Sequence, residues 1–186
     1  MLVTRNMAGA ILQNGGDFLL MKRSENRAFL PGYWGGVGGN IEPDEINAPR
    51  ATCLREILEE TGLCERDIEN LQLKYIVLRR SKDEIRIQYF YFGVSNKRAV
   101  ADTNEGSLHW VNKNELLNRK MTFTTKETLT HYLKIGHGQS GVTVGAADAG
   151  ARAVRRTPKA ASRKSRSPNM PRTPRRRETT PMPRTM

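Results

Sequence analysis

Residues Gly38–Leu63 read GGNIEPDEINAPRATCLREILEETGL. Within them, Arg55-Glu56-Ile57-Leu58-Glu59-Glu60-Thr61-Gly62-Leu63 sets three carboxylates close together. On a helix, positions three and four apart share a face, so Glu56, Glu59 and Glu60 project together and repel one another. A hard divalent cation, which takes oxygen ligands, would offset that repulsion. A plain solvated acidic face is the competing reading. The helix is expected over 48–61, with Asn47 as N-cap, Pro49 in the first turn and Gly62 just beyond the end. Ala51, Leu54, Leu58 and Thr61 form the stripe expected to face a core, and Cys53 is expected to be a small buried side chain. Ahead of the helix, Gly38 and Gly39 carry no Cβ and leave the backbone open to close approach by a ligand.

Outward from this stretch the pattern alternates between strands and helices. Residues 6–13 and 18–21 read as strands around the turn signal Asn14-Gly15-Gly16-Asp17. Residues 24–37 read as a loop in which Tyr33 and Trp34 either stack on a base or pack the loop against its own domain. Residues 71–79 and 84–95 read as a hairpin broken at Arg80-Ser81-Lys82-Asp83, with Ile85, Ile87, Tyr89 and Tyr91 alternating against Arg86, Gln88, Phe90 and Phe92. Residues 107–111 read as a strand, and 112–117 and 125–135 as helices. This mixture fits an α+β or a layered α/β/α arrangement.

The chain has 186 residues and a net charge of +12, unevenly placed. Residues 137–186 hold 12 Lys and Arg against Asp148 and Glu178, leaving a net charge of only +2 for residues 1–136. The same segment has no Leu, Ile, Phe, Tyr or Trp and carries six of the nine prolines. Such a composition buries too little apolar surface to offset ordering entropy, so a domain over 1–136 and a disordered basic tail over 137–186 are expected. The tail could bind nucleic acid non-specifically through phosphate charge, with steep salt dependence. Its abrupt change of composition fits readthrough, a frameshift or a fusion better than a selected nucleic-acid role. Cys53 and Cys64 match no zinc spacing and read as reduced thiols of a cytoplasmic protein. No apolar run is long enough to span a membrane, and the start lacks the features of a signal peptide.

The central stretch resembles the box of the Nudix hydrolases, G-x5-E-x7-R-E-U-x-E-E-x-G-U with U a bulky apolar residue. Every specified residue is present, from Gly39 and Glu45 to Arg55-Glu56-Ile57, Glu59-Glu60 and Gly62-Leu63. One spacing departs: nine residues rather than seven separate Glu45 from Arg55. The added pair lengthens the loop ahead of the helix and puts the role of Glu45 in question. The resemblance spans about 5–135. It implies an α/β/α sandwich with a mixed sheet, the box forming loop–helix–loop.

The resemblance also implies an activity: hydrolysis of a diphosphate linked to another group, usually a nucleoside, with Mg²⁺ as cofactor and Mn²⁺ as substitute. It assigns Glu56, Glu59 and Glu60 as metal ligands with the Gly38 carbonyl, and Arg55 as the residue that orients a box carboxylate, Glu56 first. Glu59 and Glu105 are the candidate bases, because family members use either a box glutamate or one in a later loop. His109 stands where some MutT-like members carry a catalytic glutamate. Arg23, at a strand end, matches a phosphate-contacting arginine; Gly39 and Trp34 complete the expected substrate contacts. Leu78 stands where the ADP-ribose type carries proline, and the SQPWPF-like motif of the NADH type is absent. By elimination the substrate expected is a nucleoside triphosphate or related small nucleotide. A binding or sensing module on the same fold is the alternative; such members usually lose box glutamates. Oligomeric state is not legible.

Overall fold

The computed structural model describes residues 1–135, 141–148 and 153–156. Strands β1 (Val3–Asn14) and β2 (Asp17–Arg23) form the expected hairpin. They stay paired only from Leu12↔Leu19 to Asn14↔Asp17 and then part. The inner half of β1 takes β4 (Val37–Asn40) as its antiparallel partner, while β2 takes β3 (Trp34–Gly35) and, along its length, β7 (Gly106–Asn112). The other edge of β1 runs parallel to β6 (Glu84–Ser95), which is hairpinned to β5 (Ile68–Ser81). The two short strands β3 and β4 lie in the stretch expected to be loop. Their glycines gave no periodic signal, and ladder pairing with β1 and β2 holds them.

Two helices cover opposite faces of this mixed sheet, giving the expected α/β/α sandwich. The alternation of β6 separates the two cores. Tyr91 packs with Cys53 and Ile57 of α1 (Pro49–Thr61), and Phe92 packs with Leu129 and Tyr132 of α2 (Phe123–Ile135). Ile57 and Leu129 have no exposed surface, each contributing roughly 1.5–3 kcal/mol of burial. Phe92 and Tyr132 stack with ring centroids 3.8 Å apart, which fixes α2 over the sheet.

Three local expectations are corrected. Ala48 rather than Asn47 is the N-cap of α1, without a side-chain cap bond. The buried side of α1 consists of Thr52, Cys53, Ile57, Glu60 and Thr61, while Leu58 is exposed, so the helix is rotated from the expected stripe. The helix expected over 112–117 is instead the end of β7, a turn, and a short 3-10 segment, Leu116–Asn118. There the Asn112 side chain accepts the Asn114 N–H at 3.1 Å, a local bond that competes with helix formation.

The sheet also continues past the boundary expected at residue 136. Strand β8 (Thr143–Asp148) lies parallel to β5, and β9 (Ala153–Arg156) is antiparallel to β8. The small and β-branched residues of Thr143–Ala146 suffice for pairing with the edge of β5, although no large apolar side chain marks them. The remainder of the expected tail lies outside the described residues. Among the described residues no helix is long and apolar enough to cross a membrane.

Candidate functional site

Where β1 and β2 part, a cleft of about 180 Å³ opens. Its inner end is set by the glycines of β1 and β4. Gly9 faces Gly38 across the ladder, and a Cβ on Gly9 would stand 2.7 Å from the Val37 carbonyl oxygen. Without side chains there, α1 comes down onto the sheet edge and brings its acidic face with it.

That face is far from solvated. Glu60 is 7% exposed, and its Oε2 accepts the Gly38 N–H at 2.7 Å. Burial, reinforced by the charges of Glu56 and Glu105, pushes its pKa up to about 8 against the pull of the Gly38 N–H and Arg23. The Glu56 carboxylate sits against Gly39, where a Cβ would fall 2.5 Å from its Cδ. Burial raises the pKa of Glu56 as well, opposed by Arg55. The two central glycines are therefore filled by the protein's own groups: Gly39 by Glu56, Gly38 by strand β1.

Arg55 binds three carboxylates. It grips Glu45 through two bonds, Nε to Oε1 at 3.0 Å and Nη2 to Oε2 at 2.9 Å, and its Nη1 donates to Glu56 at 2.8 Å and to Glu59 at 3.2 Å. The guanidinium lowers the Glu45 pKa to about 2. The Thr52 hydroxyl adds a bond to Glu45 at 3.1 Å. The longer spacing before Arg55 is thus absorbed by the turn at residues 46–47 ahead of the helix, closed by the Ala48 N–H on the Glu45 carbonyl at 2.7 Å, and the Glu45 side chain still reaches the arginine. Glu45 anchors Arg55, and Arg55 anchors Glu56.

The other residues singled out from the sequence divide by position. Arg23 lines the cleft and donates Nε to the Phe29 carbonyl at 3.2 Å, while Lys22 turns to Glu25 at 3.6 Å. Trp34 lines the cleft with its ring 5.0 Å from that of His109 and the Arg119 guanidinium 5.0 Å from its centroid. Glu105 pairs with Arg27 at 3.5 Å, near enough to Glu56 and Glu60 to raise both their pKa values. Glu59 is the outlier, 57% exposed and turned to Arg55. Both cysteines are free, and burial pushes the Cys53 thiol up to about 12, making it a packing group.

Among the described residues no three His, Cys, Asp or Glu side chains already form a cation cage. The donor set nonetheless fits a hard dication. Two oxygen-bearing side chains, Glu56 and Glu60, are held out of water with raised pKa values, which is the electrostatic state a cation relieves. Gly39→Ala is expected to displace the Glu56 carboxylate rather than the fold. Calorimetric titration with Mn²⁺ should then show affinity about 10–100-fold weaker; unchanged affinity would remove Glu56 from the binding set.

Sequence reading missed Arg79, Arg86, Gln88 and the threonines Thr122, Thr124 and Thr125, which line the opposite end of the cleft. The alternation of β6 was a usable signal, because it placed Arg86, Gln88 and Phe90 on one face. Nothing in the local sequence signalled that α2 would close over them.

Known proteins share this fold. The NUDIX domain family model matches residues 3–132. The nucleoside triphosphatase NudI of Salmonella typhimurium is 31% identical over 140 residues, covering 67% of this chain and 94% of that protein. Among solved structures, a mutator MutT protein from Bacillus halodurans superposes with a TM-score of 0.63 at 21% identity, covering 77% of this chain and 89% of its own. A Nudix hydrolase from Nitrosomonas europaea gives 0.65 at 18% identity, covering 80% and 81%.

Proposed function

The chain belongs to the Nudix hydrolase family, and from that membership we propose a divalent-metal-dependent hydrolase of nucleoside triphosphates or closely related small nucleotides. It is a pyrophosphohydrolase by family; the metal and the substrate are the proposal. The observation that carries it is the buried Glu60, bonded to Gly38 beside Glu56, at the inner end of a cleft walled by aromatic and cationic side chains.

Glu56, Glu60 and, on leaving Arg55, Glu59 would hold the cation, which when bound neutralises diphosphate charge and acidifies water. Arg55 keeps Glu56 aimed at the cleft, its own orientation set by the two-bond grip of Glu45. Arg23 meets phosphate charge from the β2 side of the cleft. Glu105 accepts the proton of the attacking water at its carboxylate, held in reach by Arg27. Trp34 and Tyr33 exclude water from the nucleoside portion.

The test is a screen of dNTPs, modified purine nucleotides, dinucleoside polyphosphates and nucleotide sugars, with Mg²⁺ or Mn²⁺ and then with chelator. Release of pyrophosphate or phosphate from a triphosphate, lost with chelator and in Glu59→Gln of unchanged melting temperature, is the expected result. Full activity of that variant, or tight binding with no turnover in either metal, would sink the proposal.

A further inference from the structure

The carboxylates occupy one end of the cleft, and the opposite end has its own chemistry. On β6, Arg86, Gln88 and Phe90 share a sheet face. Register extends the first of these into a row, since Arg86 pairs with Arg5 of β1 and with Arg79 of β5. Arg79, Arg86 and Gln88 line the same cleft as Glu60 and Gly38. Gly38 is level with Gly9, and Gly9 with Phe90. Arg86 lies four residues before Phe90, a separation of about 13 Å at a strand rise of about 3.3 Å. A nucleotide reaches about that far from its diphosphate to the outer edge of its base.

The three guanidiniums are not equivalent. Arg86 and Arg5 share the Glu84 carboxylate, and Arg86 also lies over the Phe29 ring, 5.6 Å from its centroid. Arg79 is half-buried and senses Glu84 only through space, and its guanidinium has no hydrogen-bond or ion-pair partner among the described residues. The facing wall is neutral: the hydroxyls of Thr122 and Thr125 bond to each other at 2.9 Å, and Thr124 is buried. A guanidinium with no partner among the described residues, opposite a neutral wall, suits an uncharged group carrying oxygen acceptors better than a second phosphate.

The geometry points to Arg79, with Gln88 beside it, as the residue that reads the base: it selects nucleotides whose outer edge presents an oxo group over those presenting an amino group. This deepens the triphosphatase reading and rests on it. Guanidinium has donors and no acceptor, so it bonds an oxygen such as O4 of uracil or thymine or O6 of guanine. The amino groups of cytosine and adenine set donor against donor. The amide of Gln88 turns either its oxygen or its NH₂ to the base and so cannot discriminate alone. Sites that bond a particular polar group reject the analogue lacking it, because the buried partner is left unsatisfied.

The experiment compares kcat/KM for two pairs that exchange the oxo for the amino group, together with the proton on the adjacent ring nitrogen, dUTP against dCTP and dITP against dATP, at saturating Mg²⁺. The oxo member of each pair is expected to lead by about ten-fold or more, the effect of one hydrogen bond to a charged group. In Arg79→Gln both ratios should fall towards one, and in Arg79→Lys, which keeps the charge without the fork, they should fall part of the way. Equal kcat/KM within both pairs for the unmodified protein overturns the inference while leaving the triphosphatase reading intact. So do ratios that persist in either folded variant. No turnover of any of the four overturns that reading and this inference with it.

Discussion

Glu60→Gln is expected to lower metal-supported turnover by roughly 10²–10³-fold, the scale on which loss of one preorganised electrostatic group acts, and to stabilise the metal-free protein at the same time. The two effects share a cause. Glu60 is almost wholly removed from water and its pKa is raised to about 8, whereas in the unfolded chain it titrates at its ordinary value of 4.5. A carboxyl raised in this way contributes its full stability below about pH 4.5 and loses it as pH rises towards about 8, because the unfolded chain ionises first. Glutamine keeps an oxygen for the Gly38 N–H and never ionises. The variant's melting temperature, measured without metal, should therefore exceed that of the parent by a margin that widens from pH 5 to pH 8. Added Mg²⁺ should narrow the margin by binding the parent. A margin independent of pH would show that the carboxylate is not held out of water; undiminished turnover would remove it from the metal site.

Gly38→Ala should be strongly destabilising for a single-methyl change. Gly38 has φ of +148°, a backbone conformation that side chains rarely adopt. A Cβ there would collide with the Ala8 carbonyl oxygen and the Gly9 Cα and stand 3.1 Å from the Ala8 carbonyl carbon. These are backbone atoms of β1 that cannot rotate aside. Relief requires separating β4 from β1, which also breaks the Gly38–Glu60 bond and unseats α1. A loss of about 3 kcal/mol or more is expected, a drop in melting temperature on the order of 10 °C for a chain of this size. Gly35→Ala is the matched control, since a Cβ there meets nothing within 4 Å; comparable destabilisation of both would refute the steric argument.

The hairpins and helix α2 were legible because each is a local pattern: a turn signal beside the apolar run Phe18–Met21 at β1–β2, alternation around a turn at β5–β6, and helical spacing from Thr125 to Leu133. The rotation of α1 was not. Sequence spacing offered Ala51, Leu54, Leu58 and Thr61 as the inward stripe; Thr61 is buried as expected, but Thr52, Cys53, Ile57 and Glu60 point inward in place of the other three. At 100° per residue, a shift of one position turns the whole helix. What sets the shift is that Gly9, Gly38 and Gly39 leave room for Glu56 and Glu60 to go inward, and no property of the helix sequence alone reports that room.

By itself, the sequence determined that a helix carries clustered carboxylates behind a glycine pair, with Arg55 among them, and that strands flank it on both sides. Those are matters of covalent order and short-range periodicity. Only the tertiary structure decided which carboxylates are buried, that Glu45 returns across its longer loop to hold Arg55, and that Arg79 and Arg86 share a cleft with Glu60. Burial and pKa depend on what packs against a group, and strands distant in the chain supply those neighbours.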